Sequence, residues 1–108
     1  MIGNVLAQKE LTLDGEYYVL QKIPAFKGLD LQYEFGKLLQ NGEEWNPKIV
    51  YDVITNSVIK GSKLIDQKVF DTIFAGKTQH LIQLFTEAVN FNFMEEDGSP
   101  LVETGTDE

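Results

Sequence analysis

The sequence predicts an α+β domain: an N-terminal β-hairpin, then about four helices, then a disordered acidic C-terminal tail. Three observations carry this reading. Asp14-Gly15 sits between two runs that alternate apolar and polar residues. Helical spacings of large apolar residues recur from Pro24 to Val89. Six of the 17 acidic residues follow Met94, and no lysine does. Residues 1–94 therefore read as one domain and residues 95–108 as its tail.

The hairpin is KELTL-DG-EYYVLQKI. Asp-Gly favours a two-residue type I′ turn, because both central positions need positive φ. Pairing across it sets Leu11 opposite Tyr18 and Lys9 opposite Leu20. Leu11, Leu13, Tyr18 and Leu20 then share one face, as a period of two requires. An isolated hairpin is marginal in water, so that face must lie on the helices that follow.

Pro24 suits a helix start, and PAFKGLDLQYEFGKLLQNG reads as a helix closed near Asn41-Gly42. Leu31, Phe35, Leu38 and Leu39 form one apolar stripe. Phe26, Leu29 and Tyr33, spaced i, i+3, i+7, form a second on nearly the opposite side. A helix apolar on two faces is either central to a core or packs on a partner. Gly28 and Gly36 weaken the helix, which suggests close approach of another backbone.

Asn46-Pro47 is a helix start with asparagine as N-cap, and PKIVYDVITNSVIKG follows with Gly61 as its end. Its β-branched residues make a strand the competitor. GSKLI reads as a short loop. Asp66 caps a two-turn helix, QKVFDTIFA, ended by Gly76. A last helix, KTQHLIQLFTEAV, aligns Leu81, Leu84, Phe85 and Ala88, with Thr78 as its cap. NFNF reads as a short extended segment. One reading has it pin the chain end to the core and the other has it offer an apolar edge to another protein, the first favoured for Phe91 and less so for Phe93 with Met94. Trp45 staples the start of the Asn46 helix.

Composition narrows the chemistry. There are no cysteines, which removes disulfides, thiolate metal sites and a cysteine nucleophile. All nine basic residues are lysines, so the bidentate phosphate and guanine contacts of arginine are absent. With a net charge of −8 and no basic face, nucleic acid is not an expected partner. No apolar run approaches the roughly 20 residues of a membrane span, and the start lacks the pattern of a signal peptide. The expectation is a soluble cytoplasmic protein.

Gly76-Lys77-Thr78 mimics the end of a phosphate-binding loop. That motif needs a glycine five positions earlier, after a strand. Asp71 occupies that position, inside a helical pattern. The better reading is punctuation between two helices. His80 is the single histidine and has no ligand-type residue at helical spacing, so a structural or solvated role is expected. No cofactor or metal is expected, and no catalytic constellation emerges.

The order of features resembles the small tail assembly chaperones of long-tailed bacteriophages. The likeness runs over roughly residues 9–94. It rests on the DG hairpin, on Pro24-Ala25 with Gly28, on Phe74 with Gly76, and on Asn90-Phe91 or Asn92-Phe93 closing the last helix. Lys77 departs from it, where arginine is more often expected. The resemblance implies an assembly factor, not an enzyme. It implies tape measure protein and tail tube protein as partners, action in the host bacterial cytoplasm, and absence from the mature virion. The expected contact residues are Phe26, Leu29, Tyr33, Phe91, Phe93 and Met94. An apolar patch on a small acidic protein also suggests self-association. A structural tail component and a small acidic inhibitor are the alternatives.

Overall fold

The hairpin forms as its turn dictates. In a computed structural model, which describes residues 7–94, β1 (Gln8–Leu13) pairs antiparallel with β2 (Glu16–Gln21). Asp14 and Gly15 both have positive φ, 52° and 82°. The register sets Leu11 against Tyr18 and Lys9 against Leu20. Tyr18 and Leu20 are buried, with Leu11 and Leu13 packed at the core margin.

The rest of the chain is α1 (Ala25–Gln40), α2 (Pro47–Ser57), β3 (Val58–Lys60), β4 (Lys63–Leu64), α3 (Gln67–Ile73) and α4 (Thr78–Phe93). The architecture is α+β: the N-terminal hairpin and four helices. Residues 95–108, expected to be a disordered acidic tail, lie outside the described residues.

The expected helix over 47–61 stops early. Asn46 caps it as predicted, its Oδ1 accepting from Ile49 N–H at 2.9 Å. At Val58 the backbone turns extended, and Val58–Lys60 joins the edge of β2 with Val19 opposite Ile59. The predicted GSKLI loop is in part β4, paired with β3 across a two-residue Gly61-Ser62 turn. Gly61 is not a helix end but the first turn residue, at φ 77°, where a type II′ turn wants glycine. The sheet therefore has four strands in the order β1-β2-β3-β4.

Helices α2 and α4 pack on this sheet. Tyr18, Leu20 and Val58 meet Ile49, Val50, Val53 and Ile54 of α2 and Leu84, Phe85 and Ala88 of α4. The outer helix, α1, packs on α2 and contributes Leu31 and Leu38. Its C-terminus closes as a Schellman motif: Glu43 N–H to Leu38 carbonyl at 2.9 Å, and Gly42 N–H to Leu39 carbonyl at 3.0 Å, with Gly42 at φ 76°. Leu39, expected in the inner stripe, is 66% exposed. It sits one position past Leu38, a rotation of about 100° off the buried line.

Other expectations also change. Asp66 caps α3 through Val69 N–H at 3.0 Å, but the helix ends at Ile73 with Phe74 as its C-cap, before Gly76 is reached. Gly76, at φ 73°, is instead the glycine of a turn closed by Lys77 N–H to Phe74 carbonyl at 2.9 Å. Thr78 does not cap α4. Lys77 holds that position and no side chain closes the first turn. NFNF is not extended but the last turn of α4. Neither glycine of α1 marks a close backbone contact within the chain. A Cβ at Gly36 would meet nothing within 4 Å, and one at Gly28 only Ile23 carbonyl at 3.9 Å.

Candidate functional site

The second stripe of α1 is the solvent face of the helix. The core takes Leu31, Phe35 and Leu38, which leaves Phe26, Leu29 and Tyr33 pointing outward. They are 85%, 66% and 66% exposed. Large apolar side chains scattered singly on a surface mean little, but three on one line along one helix form a patch. Lys27 and Lys37 border it. Lys37 lies 5.2 Å from the centre of the Tyr33 ring and 3.7 Å from Glu34. Lys27 reaches Asp30 at 3.4 Å and Asp52 of α2 at 3.5 Å. Asp52 also takes Lys48 at 2.7 Å, and that contact raises the lysine's pKa. Through Lys27 and Asp52 this charge cluster links α1 to α2.

Phe91, Phe93 and Met94 are half-buried and lie elsewhere. Phe93 stacks edge-on against Phe35, with centroids 5.8 Å apart, on the inner side of α1. That is about half a helical turn from Phe26. Phe91 lies under the Lys22 ammonium, 4.1 Å from its ring centre, and its carbonyl accepts from Lys22 Nζ. Burial pushes the Lys22 ammonium down in pKa. The six candidate residues thus form two groups: an outward stripe of three, and a C-terminal trio packed at the core margin.

The sequence did not reveal a polar chain at the opposite end of the hairpin. Tyr18 Oη lies 2.7 Å from His80 Nε2, and His80 Nδ1 lies 2.9 Å from Asp14 Oδ2. A carboxylate oxygen accepts, so Nδ1–H donates to Asp14, and with the ring proton on Nδ1 the Nε2 atom accepts from the Tyr18 hydroxyl. The partners are 62 and 66 positions from His80, beyond any local pattern. They line a cleft of about 750 Å³ together with Glu16, Lys60 and the Gly76-Lys77-Thr78 turn.

The charges of this cleft are matched among themselves. Lys60 Nζ is 2.9 Å from Glu16 and 4.7 Å above the Tyr18 ring. The Lys60 hydrogen bond lowers the Glu16 pKa. Burial, helped by Glu16 and Asp14, pushes the Tyr18 hydroxyl up to about 12, so it stays protonated at neutral pH. A buried, protonated phenol is a strut, not a nucleophile. The Asp14–His80–Tyr18 chain pins the hairpin turn to α4. Among the described residues no group of three His, Asp or Glu side chains could hold a metal ion. No helix among them is long and apolar enough to cross a membrane.

No protein family, curated protein or solved structure matches the chain.

Proposed function

We propose that this chain is a protein-binding assembly factor, a tail assembly chaperone of a long-tailed bacteriophage. It would hold the tape measure protein soluble and help recruit tail tube protein around it. The observation that carries the reading is the line of Phe26, Leu29 and Tyr33, exposed on a helix whose other face is buried. Anchors at i, i+3 and i+7 are how one helix is laid against another, and an apolar helical client supplies the matching surface. The hairpin and the Pro24-Ala25 and Asn90-Phe91 features supply the family likeness.

The test is co-expression with a tape measure protein from a long-tailed phage, followed by size exclusion of the soluble fraction. The expected result is a soluble complex that is lost when Leu29 is replaced by glutamate. A client that stays insoluble, with no complex eluting, overturns the proposal. Recovery of the chain in purified virions would favour a structural tail component.

A further inference from the structure

We propose that two copies of this chain pair through the outward stripe of α1, antiparallel, about a two-fold axis at the level of residue 31. The stripe has four positions, Phe26, Leu29, Tyr33 and Gly36, spaced three, four and three apart. That is the a/d rhythm by which one helix packs along another. Its fourth position has no side chain and opens onto empty space. Within the chain, nothing explains a helix-weakening glycine there.

Antiparallel pairing explains it. Phe26 of one copy then faces Gly36 of the other, and Leu29 faces Tyr33. A ring enters a notch at each end, and two medium-sized layers close the centre. A two-fold axis makes each contact twice. Parallel pairing would set ring on ring at one end and gap on gap at the other.

The area fits a modest interface. An aromatic side chain offers ~150–250 Å². With the exposures above and the flanking stems, the pair would remove on the order of 1,000 Å² from water, the lower limit for a specific contact. The dimer is therefore weak and concentration-dependent. It covers the same surface as the proposed client site, so client and second copy exclude one another.

The test is sedimentation velocity of the full chain over a concentration series. The wild type is expected to pass from monomer to dimer. Gly36→Gln, which fills the notch with a good helix former, should weaken the dimer by roughly tenfold or more without lowering the thermal midpoint. Phe26→Ala should weaken it similarly. The chain has no cysteine, so single cysteines report geometry cleanly. Gln32→Cys, beside the axis, should cross-link to itself on oxidation, and Gln40→Cys should not. A wild type that stays monomeric, a dimer indifferent to both notch variants, or equal cross-linking at 32 and 40 would each overturn the pairing. A monomer that still solubilises the tape measure protein overturns the pairing alone and leaves the chaperone reading standing.

Discussion

Two buried polar side chains do most to fix the geometry at the residue scale. Asn92 faces the core from the last turn of α4. Its Oδ1 accepts from Ile23 N–H at 2.6 Å, and its Nδ2 donates to the carbonyls of Ala88 and Gln21 at 3.0 and 3.3 Å. It thus satisfies the end of β2, where Pro24 stops the strand. Tyr18 does the equivalent work at the other end, through His80 and Asp14. Its hydroxyl titrates near 12 in the folded chain against about 10 when unfolded. The sign follows directly. Below pH 10 its contribution is fully present. Between pH 10 and 12 the unfolded chain releases a proton that the folded chain keeps, so stability falls, by about 2–3 kcal/mol. Lys22, held down by burial, acts in the opposite direction over the alkaline range. The comparison is therefore between wild type and Tyr18→Phe in urea denaturation at pH 8 to 12. Tyr18→Phe is expected to flatten the fall. Parallel curves for the two proteins would mean the hydroxyl is not held as described. The sequence places no ligand-type residue at helical spacing from His80. Neither tie was legible, because each links residues more than 60 positions apart and local pattern cannot see them.

Glycine separates the elements that were legible from those that were not. The β1–β2 hairpin was legible because Asp14-Gly15 dictates a turn type and the turn dictates the register. The starts of α2 and α3 were legible because Asn46 and Asp66 are caps with a local mechanism. The end of α2 was not. Val50, Ile54 and Val58 keep helical spacing up to the boundary, and Val58 is buried whether it ends a helix or starts a strand. Gly61 fits a helix end and a hairpin turn equally, since both want positive φ. Likewise Phe91 and Phe93 alternate like a strand, but as the last turn of α4 they flank the buried Asn92 on either side. The two settings of glycine lead to opposite outcomes for the same substitution. Gly61 sits at φ 77°, so Gly61→Ala is expected to cost about 1–2 kcal/mol. Gly36 lies in a helix with open space around its Cα, so Gly36→Ala is expected to stabilise the monomer by up to about 1 kcal/mol. Thermal denaturation at dilute concentration checks both. Shifts of the same sign would contradict the turn at Gly61 or the helix at Gly36.

For the whole molecule, α1 divides its apolar residues between a buried face and an exposed one. The sheet, α2 and α4 close a core that needs only the inner line of α1. Leu31 is fully buried in that line, two residues from Leu29, which is 66% exposed. Burial sets the energetic consequence, so the same change on the two faces of one helix should act on different properties. Leu31→Ala removes packed methyl groups and is expected to cost about 2–5 kcal/mol of stability. Leu29→Ala trims a side chain that lies mostly in water and is expected to stay within about 0.5 kcal/mol of wild type. Binding should follow the reverse order. A folded Leu29→Ala protein is expected to lose client binding and self-pairing, because an anchor at the centre of a small apolar patch carries a large share of its energy. Leu31→Ala, studied where it remains folded, should keep both, since its side chain never reaches the surface. Urea denaturation beside pull-down and sedimentation on these two variants separates the two faces. If Leu29→Ala unfolds the chain, or leaves every association intact, the outward stripe has no binding role, and the reason for three exposed apolar side chains in a line must be sought elsewhere in the fold.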